Sequence, residues 1–167
     1  NVIQSLVATG TTAIVSFTSL PVALSEMVNS NFLTRESTQM MAELPASFQP
    51  GLNRVVFQSE GERMVGNLYL PTSYQPGDKL PVIVVTGAWT TVKEQMPAVY
   101  AQRLADRGFA TFTFDFRYWG ESGGTPRQYE SPAAKVQDIK NVVAFLQTLP
   151  VIDGDRIGGL GICASAG

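Results

Sequence analysis

The chain has 167 residues, 44% of them hydrophobic and 16% charged, which suits one globular domain with a true core and excludes a disordered chain. Twelve Lys and Arg against 14 Asp and Glu leave a net charge of -2, so there is no electrostatic case for nucleic acid. One cysteine excludes an internal disulfide, and the absence of histidine excludes a Ser-His-Asp triad within these residues and any imidazole metal site.

Residues 1–50 read as an N-terminal arm, distinct from a domain at 51–167. No charge occurs before Glu26. The apolar pieces Leu6-Val7-Ala8 and Ala13-Ile14-Val15-Ser16-Phe17 are too diluted by Ser and Thr for a membrane span. Residues 1–25 resemble a secretory signal with a small-residue cleavage site at Ala23-Leu24-Ser25, although the basic start is missing. The other reading is a helix or arm packed on the domain. The first implies a secreted or periplasmic protein, the second a cytoplasmic one.

From Gly51 the pattern alternates. Arg54 to Gln58 and Met64 to Leu70 read as two strands about a turn at Ser59-Glu60-Gly61-Glu62. Pro71 to Lys79 is a loop, and Pro81 to Val85 is a β-branched run suited to a strand buried on both faces. A helix follows, with Val99, Tyr100, Leu104 and Ala105 on one side and Gly108 as its stop. Its start carries two competing signals, a capping box at Thr91-Val92-Lys93-Glu94 and a first-turn proline at Pro97. Phe109 to Phe116 is the next strand, with Phe112, Phe114 and Phe116 assigned to the core. Pro132 to Leu149 carries the stripe Ala133, Val136, Ile139, Val142, Val143 and Leu146, and Arg156 to Ile162 is a last strand rich in glycine. Strands linked by helices imply a mainly parallel α/β sheet, with chemistry at the carboxyl ends of its strands.

One such end reads Gly161-Ile162-Cys163-Ala164-Ser165-Ala166-Gly167. A nucleophile on a sharp strand-to-helix bend needs small residues two positions to either side. Cys163, between Gly161 and Ser165, fits best, and Ser165, between Cys163 and Gly167, is the alternative. The plain reading of Cys163 is a buried structural thiol. Lys93 and Glu94 read as a solvated helix start, and Asp138 as surface or capping chemistry. The Asp115 to Gly123 segment reads as a braced loop with an Asp115–Arg117 contact and tight turns at Gly120 and Gly123, with Tyr118 or Trp119 as the other option, a pocket wall.

These residues resemble the α/β-hydrolases, and within them the dienelactone-hydrolase-like branch. The carriers are Val85-Thr86-Gly87-Ala88, Val92-Lys93-Glu94-Gln95, Asp115-Phe116-Arg117-Tyr118-Trp119-Gly120-Glu121-Ser122-Gly123, and Asp155-Arg156-Ile157-Gly158 leading into Gly161-Ile162-Cys163. Two departures stand out. Thr86-Gly87 replaces the His-Gly usual after the third strand, and Ser165 replaces the second elbow glycine. The resemblance implies a hydrolase of an ester, lactone or thioester acting through an acyl-enzyme on Cys163 or Ser165. The oxyanion hole is then the backbone N–H groups of Ala88 and Ala164. It also implies a helix N-terminus aimed at Cys163, which favours the thiolate. An acyltransferase with the same nucleophile and a non-catalytic binding protein of the same fold stay open. No metal or organic cofactor is implied, the partner is a small-molecule acyl substrate, and the oligomeric state is not legible.

In this fold the acid and the histidine follow the nucleophile along the chain. The expectation is therefore the N-terminal part of a longer hydrolase, inactive as these residues alone. It is also expected that the strand ending at Gly161 presents an unpaired edge.

Overall fold

The computed structural model describes residues 5–6, 12–17 and 42–166. Among these described residues seven strands form one sheet: β1 (Ser5–Leu6), β2 (Thr12–Phe17), β3 (Gly51–Ser59), β4 (Glu62–Leu70), β5 (Leu80–Thr86), β6 (Ala110–Phe114) and β7 (Ile152–Ile162). Two helices, α1 (Met96–Ala105) and α2 (Pro132–Thr148), supply the crossovers β5-α1-β6 and β6-α2-β7. The spatial order is β1-β2-β7-β5-β6-β4-β3. The parallel part is β6-β5-β7, and β4 on one flank and β2 on the other run antiparallel to it.

The hairpin β3-β4 closes through Glu60 and Gly61, both at positive φ, the geometry that matches the right-handed twist of paired strands. Alternation along β5 sets the two layers. Val82 and Val84 join the core that contains Val142, Phe145 and Leu146 of α2, whereas Val85 joins Ala98, Ala101 and Ala105 of α1. The helices therefore lie on opposite faces of the sheet. Strand β6 is buried along its whole length, as a strand between two layers must be. Its Phe112 and Phe114 face α2, and Thr111 faces α1, donating its hydroxyl to the Ala101 carbonyl at 2.9 Å. The core assignment of Phe112, Phe114 and Phe116 holds. Each fully buried side chain of this size contributes ~1.5–3 kcal/mol.

The edge of β7 is not open, because β2 pairs along it from Thr12↔Ile162 to Phe17↔Ile157. Helix α1 begins at Met96, with Pro97 in its first turn. Thr91 instead donates its hydroxyl to the Ala88 carbonyl, so no capping box forms. The buried face of α1 is Pro97, Ala98, Ala101 and Ala105, while Val99 and Tyr100 are exposed. Small alanines let the helix sit close to the sheet, which the larger side chains would prevent. In α2 the deep positions are Asp138, Val142, Phe145 and Leu146, and Val136 is exposed.

Candidate active site

Strands β5 and β7 run parallel with Thr86 opposite Gly161. Ala88 and Cys163 therefore lie two residues past matched positions, at the same end of the sheet. At Cys163 the strand stops and the backbone turns, with φ +59, into a short 3-10 turn over Cys163–Ala166. A non-glycine residue rarely takes this conformation, and it persists only where its surroundings enforce it. Among the described residues Cys163 is exposed at the bend. Gly161 shows why the bend needs a small residue before it. A Cβ there would lie 2.0 Å from the Ser165 carbonyl oxygen, because the turn folds back across it.

Ser165 has a different place. Its hydroxyl donates to the Gly87 carbonyl at 2.6 Å, joining the elbow to the loop after β5. Gly87 is itself tightly enclosed, since a Cβ there would lie 2.2 Å from Thr91 Oγ1 and 2.8 Å from Pro97 Cγ. The structure thus brings Gly87-Ala88 and Cys163-Ala164-Ser165 together at one sheet end.

The loop from Gly87 to Gln95 is anchored from below by charge. Lys93 is 1% exposed, not solvated as expected from the sequence. Its backbone N–H donates to Asp115 Oδ1 at 2.8 Å and its ammonium to Asp115 Oδ2 at 2.7 Å. The ammonium also meets Glu121 Oε2 and Glu94 Oε1, each at 2.6 Å. The three carboxylates that converge here each give an oxygen to this one cation. Burial pulls the Lys93 pKa down, but the hydrogen bonds to Asp115, Glu121 and Glu94 outweigh it and hold it above its ordinary value. Glu121 is lowered to about 2, first by its hydrogen bond from Arg54 and then by that from Lys93. Gly120 must be glycine for the same cluster, since a Cβ there would lie 2.2 Å from Asp115 Oδ2.

Asp115 and Arg117 do not pair. Arg117 donates instead to Asp138, which is fully buried on α2 and not a surface residue, and to Glu60. The hydrogen bond to Asp138 is the main reason the Arg117 pKa is raised. Tyr118 takes φ +77 and packs edge-on against Tyr129, while the Trp119 indole N–H donates to the Tyr129 carbonyl. Glu130, which the sequence reading passed over, accepts from the Thr90 backbone N–H at 3.2 Å and pairs with Lys135 at 2.6 Å. Thr90 too sits at positive φ, +63. Nothing in local sequence marks it; its partner lies 40 residues on.

Residues 60–167 match the family model described as X-Pro dipeptidyl-peptidase (S15 family). The chain belongs to this family. As a member of the S15 family it has the α/β-hydrolase fold, and it is related to hydrolases. It is 42% identical over 124 residues to the uncharacterized protein PA2218 of Pseudomonas aeruginosa, covering 74% of this chain and 33% of that one. The crystal structure of that hypothetical protein superposes with a TM-score of 0.62 at 41% identity, over 69% of this chain and 36% of the other. A thiohydrolase of Eupenicillium brefeldianum is 33% identical over 86 residues, 52% of this chain and 28% of its own length. The chain therefore spans about a third of the length of the curated relatives it matches. Among the described residues no helix is long and apolar enough to cross a membrane.

Proposed function

We infer that the protein carrying these residues hydrolyses an ester, lactone or thioester through a covalent acyl-enzyme on Cys163. The observation that supports this most is the exposed Cys163 at φ +59, at the carboxyl end of β7 and joined through Ser165 to the loop that holds Ala88. The Cys163 thiolate attacks the acyl carbon, and the carbonyl π electrons move to oxygen. Backbone N–H groups of Ala88 and Ala164 receive that oxyanion, a stabilisation for which one donor is typically worth ~10²–10³ in rate. The oxyanion collapses, the alcohol or thiol leaves with a proton from a general acid, and a thioester to Cys163 remains. Water, deprotonated by the same group acting as base, attacks this thioester and frees the acid. These 167 residues contain no histidine, so the proton carrier is assigned to another part of the protein. The relation to a thiohydrolase gives the thioester arm its weight, and the dienelactone-hydrolase-like motifs give the lactone arm its own.

The test uses the full-length protein with p-nitrophenyl acetate, an acetyl thioester and an X-Pro p-nitroanilide. The expected result is cleavage of an ester or thioester, acyl mass on the Cys163 peptide, and loss of both in Cys163→Ala. Retention of turnover in Cys163→Ala with acylation of Ser165 overturns the assignment. Cleavage confined to the X-Pro amide overturns the substrate class. Product that forms only with an added alcohol or amine acceptor makes the protein an acyltransferase.

A further inference from the structure

The loop that carries Ala88 is held in a conformation it would not adopt alone. Thr90 is β-branched and sits at φ +63, a state that costs on the order of 1–3 kcal/mol and needs outside support. Support comes from two sides. On the inner side, Lys93 grips both oxygens of the buried Asp115, one with its backbone N–H and one with its ammonium. Asp115 is in turn fixed by the Glu121 backbone N–H on Oδ2, and by Ser122, whose hydroxyl donates to the Asp115 carbonyl at 2.6 Å. On the outer side, Glu130 accepts the Thr90 N–H with Oε1, while Oε2 is held by Lys135. The Lys135 ammonium lies 5.5 Å from the Trp89 ring centre and 4.9 Å from that of Phe116, which fixes it between the loop and the end of β6. Between the two grips the Ala88 carbonyl is also occupied, by the Thr91 hydroxyl and N–H. The peptide that presents the Ala88 N–H is thus bounded by Gly87 on Ser165, Thr90 on Glu130 and Lys93 on Asp115.

We propose that Lys93 and Glu130 are positioning residues that hold the Ala88 N–H where an oxyanion develops. This rests on the acyl-enzyme reading of Cys163. A preformed donor acts only on the transition state, so misplacing it lowers kcat and leaves KM in place. A shift near 1 Å is worth about 10²-fold in rate.

The test is kinetic, on the full-length protein with p-nitrophenyl acetate. Rates are normalised to Cys163 that iodoacetamide alkylates in the folded state, read by peptide mass spectrometry. Glu130→Ala removes the acceptor for Thr90, whereas Glu130→Gln keeps an oxygen for it while both lose the charge facing Lys135. The expected result is a kcat about 10-fold or more lower in Glu130→Ala at unchanged KM, with Glu130→Gln near wild type. Lys93→Met is expected to lose about 10²-fold in kcat per reactive thiol. Unchanged kcat per reactive thiol in Glu130→Ala overturns the proposal, whatever the thermal stability does. An equal loss in Glu130→Gln and Glu130→Ala also overturns it, because the Lys135 pair would then be the cause. Where Lys93→Met gives no folded protein, the Glu130 pair decides alone. Wild-type turnover in Cys163→Ala refutes Cys163 as the nucleophile, a result separate from these.

Discussion

Asp138, in the middle of α2, accepts three hydrogen bonds from Arg117: one from its backbone N–H at 3.0 Å and two from its guanidinium at 2.8 and 2.7 Å. The Ser59 hydroxyl donates to the same carboxylate at 2.8 Å. One buried carboxylate therefore joins α2, the chain beyond β6 and the turn of the β3-β4 hairpin. Removing one partner of such a pair leaves the other buried without compensation, at a typical cost of 3–5 kcal/mol. Asp138→Ala is expected to destabilise by about 3–5 kcal/mol in urea unfolding. The Arg117→Leu/Asp138→Leu double variant should lose clearly less than the two single losses together. Additive losses would refute the coupling.

Gly161 and Gly154 lie on the same strand but differ in their surroundings. A Cβ at Gly161 would meet the Ser165 carbonyl at 2.0 Å, and one at Gly154 would meet nothing nearer than Gln147 Cγ at 3.5 Å. The first contact is with backbone, which cannot swing aside. Gly161→Ala is expected to cost about 1–3 kcal/mol or more and to displace Cys163. Gly154→Ala should stay within about 0.5 kcal/mol of wild type. Thermal denaturation of the two variants, side by side, measures the difference, and equal melting temperatures would show that the bend does not fold back over Gly161.

Ser165→Ala removes one hydrogen bond to the Gly87 carbonyl, which is half-buried company for a neutral hydroxyl. The expected cost is about 0.5–1.5 kcal/mol of stability. Iodoacetamide should still alkylate Cys163 in the folded variant, because the thiol stays exposed. Loss of that labelling would mean that the serine shapes the bend more than one tether can.

Acid should act through Glu121. Its pKa falls from 4.5 to about 2 in the folded chain, through hydrogen bonds from Arg54 and Lys93. A carboxylate lowered on folding adds stability that is complete above its ordinary value and is lost as pH falls from about 4.5 towards 2. The Glu121 side chain is 49% exposed, so solvent and salt weaken the effect. Wild type should lose stability more steeply than Glu121→Gln over that window, more so at low ionic strength. Parallel curves for the two proteins in pH-dependent urea titrations would rule this out.

These 167 residues by themselves lack an imidazole. In a serine protease, losing the base costs about as much as losing the whole triad, ~10⁶ in rate. No turnover of p-nitrophenyl acetate above the buffer rate is expected from them alone. Robust, saturable turnover that survives Cys163→Ala would place the chemistry elsewhere.

The sequence by itself determined the order of strands and helices from β3 onward, the hairpin at Glu60-Gly61, the core phenylalanines and the bend at Gly161-Ile162-Cys163. Those features are written in period, in glycine placement and in small residues at fixed spacing, all of which act over a few positions. What only the tertiary structure decided is the pairing of charges. Lys93 and Asp138 looked like solvent-facing residues on helical segments, and Asp115 looked like the natural partner of Arg117. Instead Lys93 takes Asp115, 22 residues on, and Arg117 takes Asp138, 21 residues on. Side chains on adjacent strand ends and the helices above them meet only once the sheet is assembled. A buried charge then takes whichever opposite charge the fold brings within hydrogen-bond distance, because leaving it unpaired costs far more than any local preference. The same reason hides β2 on the edge of β7 and Glu130 on Thr90: backbone donors and acceptors are satisfied by what arrives in space, not by what is near in sequence.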